Sequence, residues 1–434
     1  MQEYLSTKSR TIQLILNVYV LGFGVCLFVN WIRINYFDIN IYQYWSFKAE
    51  DPPWMPSPQA SSPILGKHHF GDFQLPIGWA RSANPYELGN SNILPPVGMY
   101  FYKAMSIFSV QISYLLYSIL TFIVLICCLS EILKYLPKNL KIQTLSVLTG
   151  LSLPIYIAFD RGAAILLACS LTLFGYLLFN KERTGRITRS FSIGLIILGV
   201  SLKPYLVVVI LLWGLKNKVM IWKYLIPGLI LSNLILSFSF TGGLNQVIRN
   251  LIDGYMIQVG KDNPGWLYSG VSFSAGICRA SYLFLGPEES LKFVEQYQKF
   301  SWLPGLIVIT ILVASLHVFA KIWSTKFFIG TSLICLQLIV PVSMSYTLIW
   351  SSFSVAIILS DFYQQKLNRI ATIRYVLPMI GFISLLLPLP LRNYLLITSF
   401  IATCTFLSMI TISIFELRQT RKGDYDAIEY SNSN

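Results

Sequence analysis

The sequence predicts an all-α polytopic membrane protein of about ten to twelve transmembrane helices, and three observations predict it. Hydrophobic residues fill 55% of the 434 positions and charged residues only 12%, against about 45–50% and about 25% in typical soluble domains. Apolar runs near the length needed to cross a hydrocarbon core of about 30 Å recur along the chain. The segments between them are short, polar and rich in Lys, Arg, Pro and Gly. No stretch outside these runs is large enough for a soluble catalytic domain.

The first helix is expected over about 11–31. The apolar run behind Lys8 and Arg10 has no small-residue cleavage site, so it reads as a retained helix rather than a signal peptide. A long polar loop, 32–98, follows, and a second helix runs over about 101–135. Two hairpins come next. The first pairs 142–158 with 162–180 around a charged tip, Phe159-Asp160-Arg161-Gly162; the second pairs 188–202 with 204–215 around Leu202-Lys203-Pro204. Both arms of the second hairpin are short for a full crossing, which predicts tilted or re-entrant helices. A helix over 221–240 leads into a second long polar loop, 241–302. Five more helices, about 303–320, 326–343, 346–363, 372–388 and 393–416, complete a single transmembrane domain over 1–416. The polar tail, 417–434, is expected to be disordered. Neither a solenoid period nor the inverted repeat common in transporters is visible.

The net charge of +14 is informative through its location. With the N-terminus on the cytoplasmic side, the inner segments hold twenty of the 33 Lys+Arg and only eight of the 19 Asp+Glu. Clusters such as Lys181, Arg183, Arg186 and Arg189, or Arg418, Arg421 and Lys422, sit in short inner segments, where the positive-inside rule acts. The charge therefore sets topology, and no nucleic-acid partner is implied. This topology puts both termini in the cytoplasm of a multi-pass cell-membrane protein and both long loops outside. Six of the seven cysteines fall in apolar runs and read as small core residues, not disulfides or metal ligands.

Ionisable groups at membrane depth, or at helix ends facing a cavity, are costly and are functional candidates by default. On the outer side these are Asp38, Glu50, Asp51, His68, His69, Asp72, Arg81 and Glu87 in the first loop, and Asp160, Arg161 and Lys203 at the hairpin tips. The second loop adds Arg249, Asp253, Lys261, Asp262 and Arg279. A few carboxylates among several cations suit sugar transfer from a phosphate-linked donor. One carboxylate takes the proton of the attacking hydroxyl, and cations hold the departing phosphate. Inverting transfer needs only one such base.

Several short motifs in a shared order carry a resemblance. Gly71-Asp72-Phe73 leads through Ile77 and Ala80 to Asn84-Pro85-Tyr86 and Leu94-Pro95-Pro96-Val97. Phe159-Asp160-Arg161-Gly162, Leu202-Lys203-Pro204 and a Ser272-to-Arg279 stretch follow. Together they resemble family 87 glycosyltransferases, a branch of the GT-C superfamily, over about residues 70–280. The resemblance implies a GT-C-like bundle and a polyprenyl-phosphate sugar, commonly mannose, as co-substrate, with no other cofactor and no metal. It implies a lipid-linked or glycan acceptor outside the cytoplasmic membrane, contact with membrane lipids and a place in glycolipid biosynthesis. Asp72 becomes the general base, and Lys203, Arg161 and Arg279 become ligands of the donor phosphate, with Asp160 and His69 supporting. Three departures bear on the site. The first loop is extended ahead of Asp72 by a stretch holding Pro52, Pro53, Trp54, Pro56 and Pro58, and Asp38, close to the first helix, is a rival base. Where relatives show Ser-Trp-Asp-His near a late helix start, this chain reads Ser343-Met344-Ser345-Tyr346, so that histidine's role is unfilled or passes to Tyr346.

Plainer readings stand beside these. Asp72 is well suited to cap the helix it begins. Lys203 is placed to snorkel to the interface. Asp160 and Arg161 can form a local ion pair, Arg249 and Arg279 can meet lipid headgroups, and adjacent histidines such as His68-His69 point apart on most backbones. The aromatics, among them Trp45, Trp54, Trp79, Trp266 and Trp302, are mostly interface anchors. Two other functions share the outline. A transporter or flippase would need charges in the middle of its helices, where this sequence has few, and a surface-polysaccharide ligase or polymerase shares both the donor chemistry and the two long loops.

Overall fold

The first apolar run shows how the bundle meets its solvent. Leu14, Val18, Leu21, Val25 and Phe28 recur at steps of three and four, so they share one helix face. All five are exposed, whereas Ile12, Leu16, Tyr19, Phe23 and Cys26 on the opposite face are buried. A stripe of large apolar side chains left uncovered is tolerable in a bilayer and an aggregation site in water.

The computed structural model describes residues 2–37, 71–87, 93–181, 185–215, 219–258, 272–319, 322–339, 348–365, 369–387 and 394–432. All regular elements among them are helical. In chain order they are α1 (Gln2–Phe37), α2 (Gly71–Arg81), α3 (Pro96–Met105), α4 (Val110–Ile132), α5 (Lys138–Gly150), α6 (Leu153–Arg161), α7 (Ile165–Phe179), α8 (Arg186–Leu202) and α9 (Leu206–Gly214). A π-helical turn, Val219–Leu225, leads into α10 (Ile226–Ser237). The chain continues through α11 (Gly243–Gln258), α12 (Phe273–Leu285), α13 (Pro287–Tyr297), α14 (Leu303–Val318) and α15 (Thr325–Ile339). It finishes with α16 (Ile349–Gln364), α17 (Arg369–Ser384) and α18 (Tyr394–Asn432).

Among the described residues, four segments are long and apolar enough to cross a membrane: Ser6–Val29, Val110–Ile132, Met220–Ser237 and Phe400–Gln419. Ile165–Phe179, Leu303–Val318 and Ile370–Ser384 are apolar but shorter. The protein is therefore an all-helical membrane protein. Its core is built from helices with no lipid-facing side. Every residue of α16 from Ile349 to Phe362 is buried, as is every residue of α7 from Ile165 to Leu173.

Glycines let these inner helices approach closely, the usual device where lipid supplies no hydrophobic drive. A Cβ at Gly175 would fall 2.6 Å from the Ser192 carbonyl oxygen, and one at Gly199 would fall 2.6 Å from that of Ala168, so α7 and α8 touch backbone to backbone. At Gly330 of α15 a Cβ would fall 2.8 Å from the Ile358 side chain of α16, and the Gly330 carbonyl accepts a 2.8 Å hydrogen bond from Ser354. At the end of α4, Glu131 accepts from Lys134 at 2.7 Å and pairs with Lys181 at 3.0 Å, tying it to the end of α7.

Four expectations about the elements change. The helix expected over 101–135 is two helices, because the Ser109 hydroxyl accepts from the Ile112 amide and caps a fresh start while Ser113 bonds the Met105 carbonyl at 2.6 Å. The arm expected over 142–158 breaks at Leu151-Ser152, where Pro154 restarts the chain as α6. The second long loop contains α11, α12 and α13 rather than irregular chain. The tail expected to be disordered continues α18 to Asn432, since nothing from Leu417 to Asn432 except Gly423 opposes a helix and no proline occurs there. The short second hairpin is as expected, with arms of 17 and 9 residues.

Candidate active site

The junction around Asp72 begins with α2. Asp72 lies in its first turn, where a carboxylate complements the helix dipole, and is half-buried. The next residue, Phe73, is fully buried in a tyrosine cage. Its ring lies 4.9 Å from Tyr117, 5.6 Å from Tyr114 and 5.9 Å from Tyr102. Spacing dictates this: Tyr114 and Tyr117 are three apart on α4, so both face the same way.

The tip of the first hairpin packs against this turn. Gly162 ends α6 in the left-handed conformation, φ 66°, that favours glycine. A Cβ there would fall 2.5 Å from Phe73 Cβ and 3.4 Å from the Phe73 nitrogen. The Tyr114 hydroxyl donates to the Phe159 carbonyl and the Tyr117 hydroxyl to the Ala163 carbonyl, at 3.1 Å for the second. Asp160 and Arg161 are thus the last two residues of a helix whose end is clamped beside Asp72.

The second hairpin closes the junction through α3. Pro95 and Pro96 start that helix, proline being well placed in a first turn. A Cβ at Gly98 would collide with the Ser201 carbonyl oxygen, so the start of α3 lies directly on the end of α8. Lys203 follows as the extended C-cap of α8, φ −142° and ψ 91°, held out of the helical region by Pro204. One helical turn beyond Gly98, Tyr102 is fully buried. Burial, and after it the negative charge of Asp72, push the Tyr102 phenol above the ordinary tyrosine range. Segments from four parts of the sequence, at 71–73, 95–102, 159–162 and 201–203, therefore meet at one place.

Around this junction the loops are latched. The Val97 amide bonds Asn233 Oδ1 at 3.1 Å, and Tyr100 bonds Ser239 at 2.6 Å. From α11, Gln246 reaches the Tyr86 carbonyl at 3.0 Å and Asn250 the Glu87 carbonyl at 2.7 Å, joining the first long loop to the second.

Of the residues expected at the site, the junction unites Asp72 with the helix end bearing Asp160 and Arg161 and with the turn bearing Lys203. Arg279 lies within α12, which packs chiefly on α13 and α18 rather than on the junction. Asp38, His69 and Tyr346, with His68, lie outside the described residues. Among the described residues, no three His, Cys, Asp or Glu side chains come together in a way that could hold a metal ion.

Sequence reasoning missed the tyrosines, having assigned aromatics to the interface; the spacing of Tyr114 and Tyr117 next to Phe101-Tyr102 was the available sign. It also missed a second polar cluster. Asp361, Arg374 and Glu416 are buried in α16, α17 and α18, and Lys8 is buried in α1. No family model, no characterised protein and no solved structure matches the chain.

Proposed function

We propose that the chain is a membrane glycosyltransferase of the GT-C type. It moves a sugar, mannose or a similar hexose or pentose, from a polyprenyl-phosphate donor to a lipid-linked or glycan acceptor, with inversion. In this reading the chain crosses the cell membrane about ten to twelve times, the shorter apolar helices included, with both termini in the cytoplasm and the Asp72 junction facing outward. The observation that carries it is the contact of Gly162 with Phe73: it sets the hairpin tip bearing Asp160 and Arg161 against the turn that presents Asp72.

The chemistry follows from the charges. Asp72 accepts the proton of the acceptor hydroxyl as that oxygen attacks the anomeric carbon from the face opposite the phosphate. The bond from that carbon to the phosphate oxygen breaks, and the phosphate leaves with its electron pair, held by the cations Lys203 and Arg161. The prenyl tail lies between helices in the outer leaflet. No other cofactor is required.

The carrier reading needs buried ionisable groups able to exchange partners. The buried ones described at the Asp361 end are each engaged: Asp361 with Ser324 and Tyr375, Arg374 with Glu416, Lys8 with carbonyls of α16. A ligase or polymerase is separated by product mass, since one sugar or a whole glycan is added. The direct test is transfer from a panel of radiolabelled polyprenyl-phosphate sugars by purified protein in liposomes. Asp72→Asn is expected to abolish transfer with thermal melting unchanged; full activity in that variant would remove Asp72 from the mechanism.

A further inference from the structure

Buried polar atoms without partners are uncommon in folded proteins, and each calls for an explanation. Two of the largest fully buried side chains, Tyr102 and Trp350, carry such atoms. Neither the Tyr102 hydroxyl nor the Trp350 indole nitrogen meets a hydrogen-bond partner among the described residues. The hydroxyls of Ser118, Thr172, Ser201 and Ser360 are in the same state, but a serine or threonine within a helix reaches the carbonyl of the preceding turn by rotating, and Arg374 Nε and Glu416 Oε2 face each other as an ion pair at 3.1 Å. A phenol or an indole has no such local remedy.

Both atoms adjoin the junction, at opposite ends of it. Tyr102 packs on Phe73, the neighbour of Asp72, and lies within reach of the Asp72 charge. Trp350 opens α16, and its ring meets the Tyr205 ring edge-on at 5.7 Å. Tyr205 sits two residues beyond Lys203, across Pro204. Between them, Gly98 lies one turn before Tyr102 on α3 and touches the Ser201 carbonyl, two residues before Lys203. The row therefore runs from Asp72 through Tyr102 and the α8 end to Lys203 and Trp350.

The two atoms differ in what they can bind. An indole N–H only donates, whereas a phenol both donates and accepts. Resting on the transferase reading above, we infer that Trp350 donates to the phosphate of the donor lipid beside Lys203, and that Tyr102 bonds a hydroxyl of the sugar or acceptor beside Asp72. The unpartnered atoms are then groups whose partners arrive with the substrate. The assignment also orients the substrate along the row, with phosphate at the Trp350 end and the reacting hydroxyl at the Asp72 end.

The test uses the full chain in nanodiscs, with a short-chain polyprenyl phosphate as probe, read by the shift in melting temperature across a titration. Trp350→Phe is expected to weaken binding of the probe about tenfold. Tyr102→Phe, which keeps the ring, is expected to bind the probe like wild type yet show a KM for transfer raised about tenfold. Its ligand-free melting temperature should be unchanged or higher, because it removes a buried hydroxyl that has no partner. If wild type binds the probe and transfers sugar while both variants match it, the inference fails and the transferase reading stands. If the variants only melt earlier, with affinity and KM unchanged, both side chains are structural and the inference fails. A wild type that neither binds the probe nor transfers any sugar overturns both.

Discussion

Helix α16 connects two buried polar regions that differ in how completely their hydrogen bonds are made. Its N-terminal turn carries Trp350, against Tyr205 just beyond Lys203, and its last turn carries Asp361, about 16 Å away along the helix. At the Asp361 end the charged groups are paired, the Arg374 Nε to Glu416 Oε2 contact being an ion pair rather than a hydrogen bond. Asp361 accepts from Ser324, from the Tyr375 hydroxyl at 2.5 Å and from Gln365 at 3.3 Å. Arg374 pairs with Glu416 at 3.1 Å and donates to the Ile322 carbonyl at 2.5 Å, with its guanidinium 5.0 Å from the centre of the Phe327 ring. Trp323 bonds Ser413 at 2.8 Å. Lys8 donates to the carbonyls of Phe362 and Gln365, the orphan acceptors at the end of α16, where a cation also suits the helix dipole. At the Asp72 end, Tyr102 and Trp350 are equally buried and lack such partners. A charge-paired cluster joins α1, α15, α16, α17 and α18, whereas the other end holds a neutral phenol and indole without hydrogen-bond partners among the described residues. On the proposed function, the contrast separates residues that stabilise from residues that act.

The contrast is sharpest for two substitutions with opposite expected effects. Asp72→Asn removes the proposed base and should reduce sugar transfer by about a hundredfold or more, with the melting temperature unchanged. Glu416→Gln leaves Arg374 buried without its counter-charge, which should cost about 3–5 kcal/mol of stability. Its melting temperature should fall steeply while activity per folded molecule stays near that of wild type. A Glu416→Gln protein that is stable but inactive would erase the distinction between the two ends.

Two smaller effects refine it. Gly162→Ala introduces a Cβ at φ 66° against Phe73 and should cost about 1–3 kcal/mol. Because the strain falls next to Asp72, transfer should drop in the protein that remains folded, which a specific-activity measurement on purified monodisperse material reads. Lys8→Met keeps the aliphatic stem and deletes the cation at the α16 terminus. Its expected cost is about 1 kcal/mol, seen as a modest melting shift with no change in transfer.

Much of the Asp72 end was legible in the sequence because its signs are local. The order of short motifs put Pro95-Pro96 ahead of a helix, Phe159 to Gly162 at a hairpin tip and Lys203-Pro204 at a turn, and the structure moves the helix end at the tip only to Arg161, with Gly162 as its cap. The Asp361 end was not legible, because its meaning depends on partners far along the chain. Asp361 reads as an ordinary charge near the end of an apolar run until Ser324, 37 residues earlier, and Tyr375, 14 residues later, enclose it. The split between α3 and α4 was hidden for a related reason: two serines in an otherwise continuous apolar stretch look tolerable until one of them caps a new helix. The helical course of the tail was masked by polarity, which indicates exposure to solvent but not the absence of a helix.

The most direct test of the central claim is the position of a bound lipid phosphate, measured by cryo-electron microscopy of the protein in nanodiscs saturated with polyprenyl phosphate. The account predicts phosphate density within hydrogen-bonding distance of Lys203 and the Trp350 indole, on the outer side, with a clear path from there to Asp72. Phosphate density against the Asp361 cluster, or Asp72 opening to the cytoplasmic side, would contradict it.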